Sequence, residues 1–325
     1  MEVLIRGAGV AGLALAYELR KRGADVTLLE KQKDLVGSAS WLAGGMLAPW
    51  CERESAEEEV LTFGRPSVEW WSEALPDQVV CKGTLVVAPP RDTSELARFA
   101  GRTSGYDWLE AGEIEDLEPD LAGRFSKALF FSGEAHLDPR KALLGLQQKL
   151  VDMGVRFEFG AKSTTDHNYL EANCTGMSAN DPDLRGVRGE MLLLHAPEVT
   201  LSRPVRMLHP RIPVYIVPRE DHHFMVGATM IESEDYGQIS VRSTMELLNA
   251  AYSLHPSFGE AKIVETGTGV RPAYDDNLPR VTQKGRVVSV NGFYRHGYLL
   301  APHFAGVAAD RIINSLQEQD FETHH

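Results

Sequence analysis

Apolar and polar positions along the chain fall into short runs whose period switches between two and about 3.6, the strand and helix repeats. Residues 2–6 (EVLIR) are an apolar run of strand length. Residues 13–23 (LALAYELRKRG) are helix-like and close on basic residues and Gly23, and residues 25–30 (DVTLLE) are strand-like again. The acidic run 52–59 reads as a helical surface whose charges are solvated, and Val68, Trp71 and Leu75 in 65–75 recur at helical spacing. Residues 81–88 (CKGTLVVA), 128–132 (ALFFS) and 155–159 (VRFEF) are strand candidates. Asp138-Pro139 is an N-cap followed by a proline suited to a first helical turn, and it opens a helix over 140–153 that Gly154 stops.

The second half is richer in strands. Residues 169–176 (YLEANCTG) end a strand in a small-residue turn. Residues 189–195, 214–218 and 224–229 are β-like, the last two forming a hairpin around 219–222. With an even loop centred between Glu220 and Asp221, Tyr215 lies opposite Val226 and shares a sheet face with Met230. Residues 240–254 read as a helix, and 263–268 and 287–290 as strands. In the last helix Ala305, Ala308, Ala309, Ile312, Ile313 and Leu316 mark one buried face. The fold class expected is α/β: a discontinuous Rossmann-like domain from residues 1–75, 135–185 and 262–325, and a second, β-sheet-rich domain from 76–134 and 186–261.

Residues 2–30 also carry chemistry. GAGVAG, Gly7 to Gly12, stands between the first strand and the helix, and the second strand ends in Glu30. That order is what a dinucleotide-binding βαβ unit requires. Gly7 permits the tight turn, Gly9 lets backbone approach a pyrophosphate, and Gly12 lets the helix pack on the strand. The helix N-terminus presents free N–H groups to phosphate. Glu30 can accept hydrogen bonds from two ribose hydroxyls and would repel a 2′-phosphate, which disfavours NADP. The unit does not separate NAD from FAD. Further on, Gly44 and Gly45 lie among small residues in 37–50 (GSASWLAGGMLAPW). They suit either backbone lying against a ligand or a packed helix start.

Composition narrows the partners. The chain has 325 residues, 43% of them hydrophobic, enough for a large core in two domains. A formal charge of −13 argues against nucleic acid or anionic membrane, and an anionic substrate would need a locally basic pocket. No stretch approaches ~18 uninterrupted apolar residues, and the first strand leaves no room for a signal peptide. Cys51, Cys81 and Cys174 are scattered without CxxC spacing, so a reducing cytoplasm is expected. His222 and His223 sit at the hairpin turn with no Cys or carboxylate to complete a set, so no metal site is expected. His324 and His325 carry no role.

Six further motifs carry a resemblance: AGGMLAP (43–49), RGE (188–190), YIVPR (215–219), VGATM (226–230), GVRP (269–272) and FYRHGYLLAP (293–302). In this order they resemble the FAD-dependent amine oxidases of the D-amino-acid oxidase family, and among them the glycine oxidases of thiamine biosynthesis. The resemblance implies that Val10, Ala11, Glu30 and Lys31 hold the ADP half of FAD. It also implies that Ala39, Ser40, Gly44, Gly45 and Met46 run along the diphosphate and flavin, with Thr175 and Gly176 in the same cofactor set. Phe293, Tyr294, Arg295, His296, Gly297, Tyr298 and Leu299 would offer backbone N–H groups to the pyrimidine edge of the flavin. Strand, Gly-rich backbone and helix N-terminus in that order suit negative charge whatever the family. Arg271, placed after a strand and before Pro272, would grip a substrate carboxylate, with Tyr215, Met230, Met46 and Arg295 around the substrate. Pattern by itself leaves Tyr215 and Met230 equally as plain core, and a structural salt bridge at a strand end is the lesser alternative for Arg271.

The activity implied is oxidation of glycine or another small amino acid to its imine, with dioxygen reoxidising the flavin to give hydrogen peroxide, as a supply for thiazole synthesis. Flavin carries the redox chemistry, so no catalytic base is named, neither His296 nor His303. None of the cysteines lies where relatives attach flavin covalently, so FAD is expected to be non-covalent. Glycine oxidases carry a histidine two positions before the tyrosine, where this chain has Pro213. A broader D-amino-acid or sarcosine oxidase, a dehydrogenase with a non-oxygen acceptor, and a flavin-binding accessory subunit remain rival readings. A homo-oligomer is expected by analogy.

Overall fold

The computed structural model describes residues 2–161, 169–208 and 214–323, with side chains to residue 317. Pro213, His324 and His325 lie outside the described residues. Strand Glu2–Arg6 is central in a six-stranded sheet ordered Arg280–Lys284, Val287–Asn291, Leu170–Asn173, Glu2–Arg6, Asp25–Glu30, Arg156–Phe159. All its neighbours are parallel except Arg280–Lys284, which returns antiparallel along Val287–Asn291. A parallel sheet is covered on both faces, so Val3, Ile5, Val26 and Leu28 are all buried. Helix Val10–Lys21 packs against both Pro139–Asp152 and Gly297–Thr323. Asp138 caps Pro139–Asp152 by accepting the Arg140 N–H at 2.8 Å, the role its place before proline predicts.

The second sheet has nine strands and its own core, centred on residues such as Leu192, Ile216, Phe224 and Leu247. Arg185–His195 is its long spine, flanked by His223–Gly227 and Lys262–Ala273. The sheet continues through Val214–Pro218, Val205–Met207, Thr84–Val87, Lys127–Phe131 and Asp107–Glu110. Four of the strands in the two sheets, Asp107–Glu110, Val205–Met207, Ile231–Glu232 and Arg280–Lys284, are not expected from the pattern, being short or largely polar.

Three expectations need correction. Lys262–Ala273 belongs to the nine-stranded sheet, so residues 262–273 sit with the second sheet and not with the Rossmann-like one. Arg271 and Pro272 are still within that strand, opposite Val187 and Gly186. Proline is tolerated there because its nitrogen faces away from the named partner strand Arg185–His195, on an edge where the Pro272 carbonyl only accepts, from the Tyr294 N–H at 2.8 Å. The hairpin is also shifted by one residue: Tyr215 pairs with Gly227 and Ile216 with Val226. Asp221 and His222 both take left-handed backbone, φ 52° and 55°, and the turn they make leaves an odd loop between Arg219 and His223. Third, the acidic run 52–59 is not all solvated, because Glu52 is only 6% exposed.

Gly297–Thr323 contains Pro302, which has no N–H to give the carbonyl of Tyr298 four residues earlier. The indole N–H of Trp71, itself fully buried, donates to that oxygen at 2.9 Å. The helix Ser67–Ala74 therefore exists in register with the proline. Trp71→Phe should lower the unfolding free energy by about 1–3 kcal/mol, the cost of a buried carbonyl left without a donor. Urea unfolding checks this, and an unchanged midpoint would mean that the carbonyl finds another partner.

Candidate active site

A cleft of about 1270 Å³ opens at the carboxyl ends of the parallel strands and reaches the large sheet. Its lining includes Gly7, Gly9, Val10, Ala11, Glu30, Lys31, Ala39, Ser40, Gly44, Gly45, Met46, Thr175 and Gly176. It also includes the whole run Phe293, Tyr294, Arg295, His296, Gly297, Tyr298 and Leu299, together with Tyr215, Met230 and Arg271. Of the residues singled out in the sequence, Gly12 stands apart from the lining. A Cβ there would come within 1.9 Å of the Gly7 carbonyl oxygen, so its hydrogen is what lets the helix close on the strand. Gly7 has φ +98°, a conformation that L side chains avoid. Residues 37–45 form no helix; the backbone turns along the cleft and then enters the short strand Met46–Leu47.

The nucleotide end is held by side chain to backbone bonds. Glu30 accepts the Ala8 N–H at 2.7 Å and the Gln32 N–H at 2.9 Å, which fixes its carboxylate against the glycine turn. Ser40 Oγ accepts the Val10 N–H at 3.1 Å, tying the loop to the first helical turn. Asn291, not expected from the sequence, donates to the Gly176 carbonyl at 2.9 Å and sets that turn. Two helix N-termini, at Val10 and Gly297, open on the cleft. A long cleft with an acid at one end, glycine backbone beyond it and two sets of helix-end amides fits a dinucleotide such as FAD.

The other end is charged, and most of its charged groups are buried. Arg271 lies on the backbone of the neighbouring strand, where a Cβ on Gly189 would be 2.2 Å from its Nη2. The glycine of RGE is thus required by the arginine. Arg271 donates to the Thr229 carbonyl at 3.1 Å and has no carboxylate partner among the described residues. Burial, with Arg295 nearby, lowers its pKa to about 10. Arg295 is paired: its Nη2 lies 2.7 Å from Glu52 Oε2. The Tyr215 hydroxyl donates to Glu52 Oε1 at 2.7 Å and accepts from Arg206 Nη1 at 3.1 Å.

Glu52 owes its place to the short helix Pro49–Arg53. The Cys51 N–H in that helix is bound by Glu134 at 2.7 Å and the Cys51 carbonyl by Arg206 at 2.8 Å. Burial opposes a charge on Glu52, but Arg295, His296, Arg206 and the Tyr215 hydroxyl hold its pKa down at about 2. Glu134 lacks such partners, and burial pushes it up to about 7. His296 is driven by burial down to about 4, so it is neutral near pH 7 despite lying 3.4 Å from Glu52. His303 stacks on Phe63, ring centroids 4.1 Å apart, and does not line the cleft.

Met230 lines the cleft for a different reason from the one expected. The shifted register puts Met225, not Met230, in one apolar cluster with Tyr215, together with Met191 and Val217. Met230 lies beyond the strand end and is held by the Tyr294 hydroxyl at 3.3 Å and Arg295 Nη1 at 3.5 Å from its sulfur. Glu52, Met191 and Met225 were all missed from the sequence. For Glu52 a signal did exist: Pro49 opens a helix turn inside the apolar stretch 47–51. His222 and His223 remain at the hairpin turn, each ring nitrogen facing a backbone carbonyl.

Comparison with known proteins agrees with this geometry. The family described as FAD dependent oxidoreductase matches residues 2–311. A Rhizobium etli protein assigned as a thiamine biosynthesis oxidoreductase, ThiO, is 60% identical, covering 96% of this chain and 97% of its own. Glycine oxidase from Geobacillus kaustophilus superposes with a TM-score of 0.81 at 24% identity, covering 96% of this chain and 94% of its own. Iminodiacetate oxidase from Chelativorans sp. BNC1 does so with 0.81 at 21% identity, covering 96% and 95%. With an acid-tipped glycine turn, two helix ends on one long cleft, and a family match over nearly its full length, the chain belongs to the FAD-dependent oxidoreductases of the D-amino-acid oxidase family.

Proposed function

We propose that the protein oxidises small α-amino acids, glycine first among them, to the imine with release of hydrogen peroxide, as a supply for thiazole formation in thiamine synthesis. The observation that carries this is Arg271, a guanidinium at the inner end of the cleft with no carboxylate of its own among the described residues. Its planar fork suits the two oxygens of a substrate carboxylate. Met46, Met230 and Tyr215 bound the space beside it and favour a substrate with little or no side chain. The likeness to ThiO and to glycine oxidases supports the same substrate class.

FAD, when bound, supplies the two-electron acceptor. The cleft's glycine turn, Glu30 and the amides at Gly297 to Leu299 are the groups that would hold it. Cys174 lines the cleft, but burial pushes its thiol up to about 12, so non-covalent FAD is the reading that fits. Arg271 orients the carboxylate and thereby the amine and Cα. His296 stays neutral and serves as no acid or base. Water is limited by the methionines and Tyr215.

Anaerobic flavin bleaching followed by peroxide release, across glycine, sarcosine and D-amino acids, tests the reading. Glycine should have a higher kcat/KM than D-alanine; a clear preference for D-alanine or D-proline would defeat the glycine assignment. Bleaching with slow reoxidation in air would replace the oxidase with a dehydrogenase. Arg271→Ala and Arg271→Lys should each lose about 2–4 kcal/mol in kcat/KM for glycine, with FAD content and Tm little changed. Early melting with intact kinetics per folded enzyme would make Arg271 structural. The pocket's charge should also be constant between roughly pH 5 and 9, because Glu52 titrates at about 2, His296 at about 4 and Arg271 at about 10. Inhibition by acetate should therefore be flat over that range, and kcat/KM for glycine should rise with pH as the substrate amine loses its proton. A break near neutrality in the acetate profile would show that Glu134 ionisation reaches the site.

A further inference from the structure

Two guanidiniums, Arg271 and Arg295, border the inner end of one cleft, yet only one of them meets a protein carboxylate. Glu52 Oε2 stands 2.7 Å from Arg295 Nη2 as an ion pair without hydrogen-bond geometry, and its Oε1 accepts from Tyr215 at 2.7 Å, so both oxygens face protein partners. The next cation outward, Arg206, is likewise matched by Glu54 at 3.1 Å. His296 is neutral. The balance of these groups is a single uncompensated positive charge, located on Arg271. We propose that Glu52 sets the charge selectivity of the site: by neutralising Arg295 it restricts the pocket to amines bearing one carboxylate and turns away those bearing a second anionic group.

The physical reasoning is electrostatic. In a poorly hydrated pocket a unit charge a few ångströms from a ligand group changes its binding by orders of magnitude, because no water screens it. A second carboxylate or phosphonate on the substrate would find Arg295 already occupied and Glu52 repelling it. Bidentate pairing with Arg271 uses one anionic group only. Glu52 is only 6% exposed, and the Cys51 backbone beside it is bound by Glu134 and Arg206. The carboxylate therefore has no room to swing away and release Arg295 to a ligand. Specificity of this kind comes from a repulsive element as much as an attractive one. Glu52 is here a specificity-determining residue that contacts the pocket. The inference rests on the amino-acid reading above.

The test uses the FAD-loaded enzyme and its Glu52→Gln and Glu52→Asp variants, with calorimetric binding of acetate as a monoanion and of malonate, which adds a second carboxylate to the same carbon, as a dianion. Turnover of glycine and iminodiacetate is read beside it. The wild type should favour acetate over malonate and glycine over iminodiacetate. E52Q keeps a hydrogen-bonding side chain of the same size but removes the charge, and should shift both ratios toward the dianion by on the order of 10- to 100-fold. E52D should keep the wild-type preference. Arg295→Gln, which leaves Glu52 unpaired, should weaken both anions and malonate more, and it serves if E52Q melts early or loses FAD. Unchanged ratios in folded E52Q, or equal losses of both anions in R295Q, overturn the proposal. So does a wild type that binds neither anion. Should acetate and malonate behave as stated while no amino acid bleaches the flavin, the substrate assignment fails and the charge rule stands.

Discussion

A carboxylate with almost no access to water sits where the two sheets meet, and much of the active end depends on keeping it charged. Glu52 comes from a short helix between the sheets, Tyr215 and Arg206 from the large sheet, and Arg295 and His296 from the loop that follows the last strand of the small sheet. Taking a charge out of water is expensive, and removing one partner from a buried pair typically costs about 3–5 kcal/mol. The four neighbours that hold Glu52 therefore also hold the two halves of the molecule in one arrangement. Arg206 adds its guanidinium over the Phe99 ring, 4.7 Å away, and so extends the same constraint into a third apolar cluster.

Against that fixed background, Arg271 is conspicuous for having been left alone. Its strand neighbour is a glycine, its hydrogen bond is to a carbonyl, and its nearest cation is compensated elsewhere. A protein seldom desolvates a guanidinium in this way unless a ligand completes it. The pocket around it is walled by flexible thioethers as well as by aromatic rings. Methionine fits itself to small differences in shape, so the volume limit here is softer than the charge limit.

The parts legible in the sequence were those governed by near neighbours. The glycine turn, Asp138 as cap and the spacing of Ala305, Ala308 and Ile312 each depend on residues within a turn or two, and each stands in the structure as the pattern implied. What could not be read depends on distant partners. The hairpin register turned on two left-handed residues that carry no glycine, so an even loop was the natural reading and the true one is odd. Glu52 lies at the head of an acidic run, and only the return of Tyr215 and Arg295 from far along the chain distinguishes it from the exposed Glu57, Glu58 and Glu59. Pro272 after Arg271 points to a strand that has already ended, an inference that holds for an interior strand but not for an edge. The motifs marked the walls of the cleft well; the charge pairing inside it was invisible to them.

The contact between helix Val10–Lys21 and helix Gly297–Thr323 has a consequence for how the molecule is made. The glycine turn is synthesised before the helix that covers its neighbour, with most of the described chain between them. Until then the face of helix Val10–Lys21 that it covers is open, and the cleft has only one of its two helix ends. Contacts this far apart in sequence make for slow, late closure and a long interval in which apolar surface is open to other chains. The cofactor cradle can thus be completed only once the Gly297 end has been made and docked, so flavin loading competes with aggregation over that interval.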